Sequence, residues 1–126
     1  MMMLKTTILA ASIAALLTGC APKQTARNCD TSVEMANQFV ERALKLRPDL
    51  AVYPARTDTN DALYWLACRD GLRNGKANNA DHLAALHDFI SEAAQQPELT
   101  VEDGRYLVGD MAMFLAYRYG FEAANS

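Results

Sequence analysis

The sequence predicts an all-α fold, a small bundle of about four helices built as two helical hairpins. Three observations lead there. Beyond residue 19 the chain holds five Val and one Ile against eighteen Ala and eleven Leu, a balance that favours helix over strand. Apolar residues recur at spacings of three and four. The prolines, at 22, 48, 54 and 97, fall where these periods begin or end, none inside one. A chain of 126 residues makes one domain, two at most. It is too short for a doubly wound dinucleotide fold or a (β/α)₈ barrel. A net charge of −3, with no Lys/Arg-rich face, excludes a basic nucleic-acid binder.

The first twenty residues, MMMLKTTILAASIAALLTGC, stand apart. One cation, Lys5, precedes an apolar run from Ile8 to Leu17 that only Ser12 interrupts. Ten helical residues rise roughly 15 Å, about half a hydrocarbon core, so the run is too short to span a membrane. Basic start, short apolar core and small residues, in that order, read as a secretory signal peptide over residues 1–19 that is removed on export. Residues 21–28, APKQTARN, are polar and without period. With Cys20 they read as a tether, reaching at most ~28 Å when extended. The helical domain is then 29–126.

Helix one opens at Thr31-Ser32-Val33-Glu34, a capping-box spacing. Val33, Ala36, Val40, Ala43 and Leu44 make its stripe, and Arg47-Pro48 ends it. An unpatterned stretch, PDLAVYPARTD, leads to helix two, from about Asn60 to Gly71. Its run from Ala62 to Cys68 is apolar all round, which predicts the central, most buried helix. Arg73-Asn74-Gly75 carries turn chemistry. Helix three begins near Asn79, with Leu83, Leu86, Ile90 and Ala93 as its stripe, and Pro97 stops it. Helix four opens at Thr100-Val101-Glu102-Asp103, where carboxylates suit the positive helix end. Val101, Val108, Met111 and Leu115 form its stripe, and Gly120 reads as the C′ residue with Phe121 folding back. Gly104 and Gly109 inside it imply either close helix packing or a late helix start. Phe39-Val40…Pro48-Asp49-Leu50 echoes Phe89-Ile90…Pro97-Glu98-Leu99, like the closing end of a tetratricopeptide-type hairpin, but the 34-residue period is absent.

Leu17-Thr18-Gly19-Cys20 resembles the lipobox of bacterial lipoproteins: an apolar residue, a small one, Gly or Ala, then Cys. The resemblance implies diacylglyceryl transfer to the Cys20 sulfur, cleavage between Gly19 and Cys20, and acylation of the new amino terminus, palmitate being one such chain. Ala21, not Asp, follows Cys20, which resembles the outer-membrane sorting class. The implied location is the periplasmic face of the outer membrane, held by several acyl chains. The processed chain would have 107 residues, with 11 basic against 15 acidic side chains. With Cys20 committed to lipid, Cys29 and Cys68 remain. An oxidising compartment and an even count favour a disulfide between them; two buried free thiols are the alternative.

The residues offer no reactive constellation. There is no Gly-x-Ser-x-Gly elbow and no phosphate-cradling glycine loop. His82 and His87 are five residues apart, about 140° around a helix, so they do not share a metal. The pairs Glu102/Asp103 and Asp58/Asp61 sit at helix starts, where capping accounts for them. These readings predict a non-enzyme with no cofactor and no metal. Two features are candidate partner-binding surfaces. One is Tyr117, Arg118, Tyr119 and Phe121 near the end of the chain, residue types enriched at interface hot spots. The other is the apolar loop from Ala51 to Arg56, with Tyr53 at its centre.

A small helical lipoprotein of this build is similar, in architecture alone, to secretion-system pilotins. The resemblance implies a non-enzymatic accessory or chaperone of an envelope assembly, with a groove between helices that takes an amphipathic partner helix. An exclusion or inhibitor lipoprotein acting on phage, conjugation or a wall hydrolase is the first alternative. A peptidoglycan-active enzyme, which needs two carboxylates converging in a cleft, is the second.

Overall fold

A computed structural model describes residues 13–51 and 56–124, with side chains from residue 27 onward. Residues 1–12 of the signal peptide expected over 1–19, the Cys20 side chain and Tyr53 lie outside the described residues. Four helices follow in order: α1, Ile13–Leu46; α2, Asp58–Lys76; α3, Asp81–Ala94; and α4, Val101–Ala123. A 3-10 turn, Pro48–Leu50, separates α1 from α2, and no strand occurs among the described residues. The fold is the small all-α bundle that composition and period predict.

α1 departs from expectation at its start. The residues read as a tether, 20–28, are helical, and Pro22 falls inside the helix. Thr31 and Ser32 do not cap. The Thr31 hydroxyl donates to the Arg27 carbonyl at 3.1 Å, and the buried Ser32 hydroxyl to that of Cys29 at 3.0 Å. Both are back-bonds within a helix already formed. Once a packed segment nucleates a helix, extension needs no amphipathic period. The expected stripe does hold from Val33 onward: Val33 and Ala36 are buried, and Phe39 and Val40 pack against the same core.

α2 has a true cap. The Thr57 hydroxyl accepts from the Asn60 amide at 3.0 Å, with Asp58 and Asp61 in the first turn. The helix does not stop at Arg73-Asn74-Gly75 but runs on to Lys76. Its ending is a Schellman motif one turn later. Asn78 takes φ 55°, its amide donates to the Gly75 carbonyl, and the Asn79 amide donates to that of Asn74 at 2.9 Å. Asn is the usual substitute where glycine is absent from the left-handed position. Gly75 is a helix residue for a packing reason: a Cβ there would lie 2.5 Å from the Phe121 carbonyl oxygen of α4.

α4 occupies the centre that the all-apolar run of α2 suggested for that helix. It touches α1, α2, α3 and the 3-10 turn, whereas Leu63 and Leu66 of α2 remain 43% and 39% exposed. The buried line of α4 is Gly104, Ala112, Ala116, Tyr117 and Gly120, not the Val101/Val108/Met111/Leu115 stripe. Small side chains let backbones close in, so burial follows size as well as hydrophobicity. Gly120 is no C′ residue; α4 continues to Ala123, and a Cβ on Gly120 would overlap the Cys68 carbonyl oxygen. Thr100 caps α4 by accepting from the Asp103 amide at 3.0 Å, which rules out a late start. Gly104 is there for Leu50, whose Cδ2 would sit 2.8 Å from an added Cβ. Gly109 faces open space, and nothing in the structure requires it.

The cysteines lie together at the α1–α2 seam. Cys29 and Cys68 stand at disulfide distance, with Cα atoms 5.4 Å apart and both side chains fully buried beside Leu72. Trp65, Tyr119 and Ala123 cover them.

Candidate functional site

α3 is the loosely held element, and the site follows from that. Its stripe is only half-buried, and none of its residues is buried outright. It packs chiefly on α4. A groove of about 460 Å³ is left where α2, α3 and α4 converge. Leu86, Phe89 and Ile90 come from α3, Met113, Phe114 and Tyr117 from α4, and Ala67 from α2. Asp70, Arg73, Asn74, His82 and Asp110 supply its polar groups.

The polar groups at the α2 end are engaged with each other. The Tyr117 hydroxyl accepts from Asn74 Nδ2, and the His82 ring meets the Tyr117 ring edge-on at 5.1 Å between centroids. Asp70 Oδ1 lies 3.5 Å from Arg69 and 3.6 Å from Arg73. Phe114 carries Arg118 over its face, 5.7 Å from the centroid. Such a surface suits binding an apolar face, with polar groups among the lining for orientation. Among the described residues no group of His, Cys, Asp and Glu has the arrangement to hold a metal ion. None of their helices is long and apolar enough to cross a membrane.

The five surface candidates do not form one surface. Tyr117 is 3% exposed and belongs to the core, where its ring forms one wall of the groove. Tyr119 packs over the cysteine pair, on a different side of α4. Phe121 is half-buried, and its backbone faces Gly75. Arg118 is exposed, over Phe114 and 4.0 Å from Glu122. Residues so close in sequence point in different directions around a helix, so the cluster was one of sequence and not of space. The groove residues that sequence reasoning missed are Phe89, Asp110, Met113 and Phe114. A signal for them exists: on α4, Asp110, Met113, Phe114 and Tyr117 succeed each other at helical spacing beside the core stripe.

The loop before α2 is pinned at both ends. Leu50 is buried against Gly104, and Arg105 donates to the carbonyls of Asp49, Leu50 and Ala51 at 3.3–3.4 Å. At the other end Arg56 bridges Glu34 at 2.5 Å and Asp61 at 3.0 Å. Asn37 of α1 also donates to Asp61, at 2.9 Å. Asp61 is therefore a tie between α1, the loop and α2, not only a residue of the first helical turn. The hydrogen bond from Arg56 holds the Glu34 carboxyl below the usual range. Burial, with the Asp61 charge second, raises the Tyr64 hydroxyl. His87 is exposed beside Asp88, and His82 and His87 do not converge on one point.

Comparison with known proteins returns no matching family model, no matching characterised protein and no matching solved structure.

Proposed function

We propose that the chain is an outer-membrane lipoprotein anchored through Cys20, serving as a non-catalytic accessory or chaperone of an envelope or secretion assembly. It would hold a helix of its partner in the α2–α3–α4 groove. The anchoring part of this reading rests on the residues up to Cys20. The docking part rests on one observation, the groove itself: a channel between helices lined by Leu86, Phe89, Ile90, Met113 and Phe114, with polar side chains among them. The cysteine pair suits an oxidising compartment, where its bond would persist.

Two experiments test the halves separately. Replacing Cys20 by Ala should abolish incorporation of labelled palmitate and release the chain from the membrane fraction; a palmitate-free wild-type chain removes the anchoring half. For docking, the full chain is captured from detergent-solubilised envelope and its partner identified by mass spectrometry. A Phe89→Asp variant, changed at an exposed groove position, should lose that partner. A wild type that retains no partner, or a variant that retains it fully, removes the docking half.

A further inference from the structure

The groove continues past Asp110. A second hollow of about 270 Å³ shares Phe89 and Asp110 with it and extends to Leu99, Asp103 and Tyr106. On α4 the residues Asp103, Tyr106, Asp110, Met113 and Tyr117 follow at steps of 3, 4, 3 and 4, which is one helix face. From Asp103 to Tyr117 that face rises roughly 21 Å, about four helical turns. Tyr106 of this face is 66% exposed, and beside it Phe89 of α3 is 57% and Leu99, before α4, 38% exposed, whereas Tyr117 closes the far end as a buried wall.

The charge along this channel is unevenly distributed, with Arg73 at the α2 end and only carboxylates at the other. Asp70, at the α2 end, already faces Arg69 and Arg73. Asp110, Asp103 and Glu98, at the other end, line the second hollow, and no Lys, Arg or His is among its lining residues. None of the three forms an ion pair among the described residues. Arg105, the nearest arginine in sequence, is turned away to the carbonyls of the 3-10 turn. An apolar ligand with an acidic border would bring like charges together over three carboxylates that have no ion-pair partner, one of them, Asp103, in the first turn of α4. A basic border would complete three pairs.

We propose that the occupant is an amphipathic helix of about fourteen residues whose apolar face is bordered by Lys or Arg, with that basic border over the Glu98, Asp103 and Asp110 half of the groove. The proposal rests on the docking reading and specifies the partner's chemistry. Exposed pairs contribute little singly, and three together amount to about a ten-fold preference at low salt.

The test uses the full chain in detergent and two fluorescent fourteen-residue peptides. Both carry the same leucine face, one bordered by Lys and the other by Glu. Anisotropy should show the Lys peptide binding about ten-fold more tightly, with the preference collapsing at high salt. A Glu98→Gln, Asp110→Asn double variant, checked for unchanged helicity and melting, should lose most of the preference while still binding. Equal binding of the two peptides, weakened for both by Phe89→Asp, would overturn the charge assignment and leave the docking reading standing. If neither peptide binds, both fall. If the chain self-associates and its own copy displaces the peptides, the occupant is a second copy and the proposal is wrong.

Discussion

Glu34, Arg56 and Asp61 show how single side chains hold the loop to the helices. The Glu34 carboxyl is held below its usual range because the folded chain sets the Arg56 guanidinium against it. Its contribution to stability is therefore fully present above about pH 4, the unfolded value, and is lost as pH falls through the lower folded value. Glu34→Gln should shrink the drop in melting temperature between pH 7 and pH 3, measured by circular dichroism; an unchanged drop would remove this role. Cys29 and Cys68 act at the same scale. A bond between them closes a loop of about 40 residues, worth about 4 kcal/mol on a chain-entropy estimate. Urea unfolding with a strong reductant should bring the wild-type midpoint down toward that of Cys29→Ser. A midpoint indifferent to reductant would mean that the thiols are free.

Between elements, the seam of α2 and α4 turns on glycine. A Cβ on Gly71 would overlap the Tyr117 carbonyl, and one on Gly120 the Cys68 carbonyl. Backbone cannot step aside as a side chain can, so Gly71→Ala or Gly120→Ala should cost about 1–3 kcal/mol or more. Gly109→Ala is the control in the same helix. With open space around it, the lower backbone entropy of Ala should stabilise the fold by about 0.5–1 kcal/mol. Opposite signs for Gly120 and Gly109 in chemical denaturation would confirm the packing argument; equal signs would contradict it. Leu50 joins the 3-10 turn to α4 in the same way, as a knob over Gly104. Leu50→Ala should cost about 2–3 kcal/mol and loosen the whole stretch before α2, read as faster amide exchange.

For the molecule as a whole, the consequence is an uneven distribution of packing. α1, α2 and α4 share the core, and α3 is laid on α4 with no residue fully buried. The element that forms one wall of the groove is also the least tied down. Exchange protection should accordingly be lowest in α3 and should rise when a helical ligand fills the groove. Uniform protection across the four helices would argue that α3 is as firmly seated as the rest. The proposed anchoring would also act at this scale. With residues 20–28 helical, the nine positions from Cys20 to Cys29 rise roughly 14 Å, about half the reach of an extended tether. An anchored Cys20 would thus hold the bundle close to the membrane face.

The sequence alone led to the helical class, the opening of a helix at Thr100, the stripe from Val33 to Val40 and the expectation that Cys29 and Cys68 meet. These follow from local periods, cap residues and cysteine parity, which a one-dimensional reading can see. Only the tertiary structure decided that α4 is the hub, that Asn78 ends α2 and that Gly71, Gly75 and Gly120 are contact points. It also separated Tyr117, Arg118 and Tyr119 and assembled Phe89 with Asp110 and Met113. The reason is physical: a glycine that permits a turn and one that admits a neighbouring helix read alike in sequence. Which faces of four helices meet, and which stay open as a groove, depends on how closely their backbones can approach.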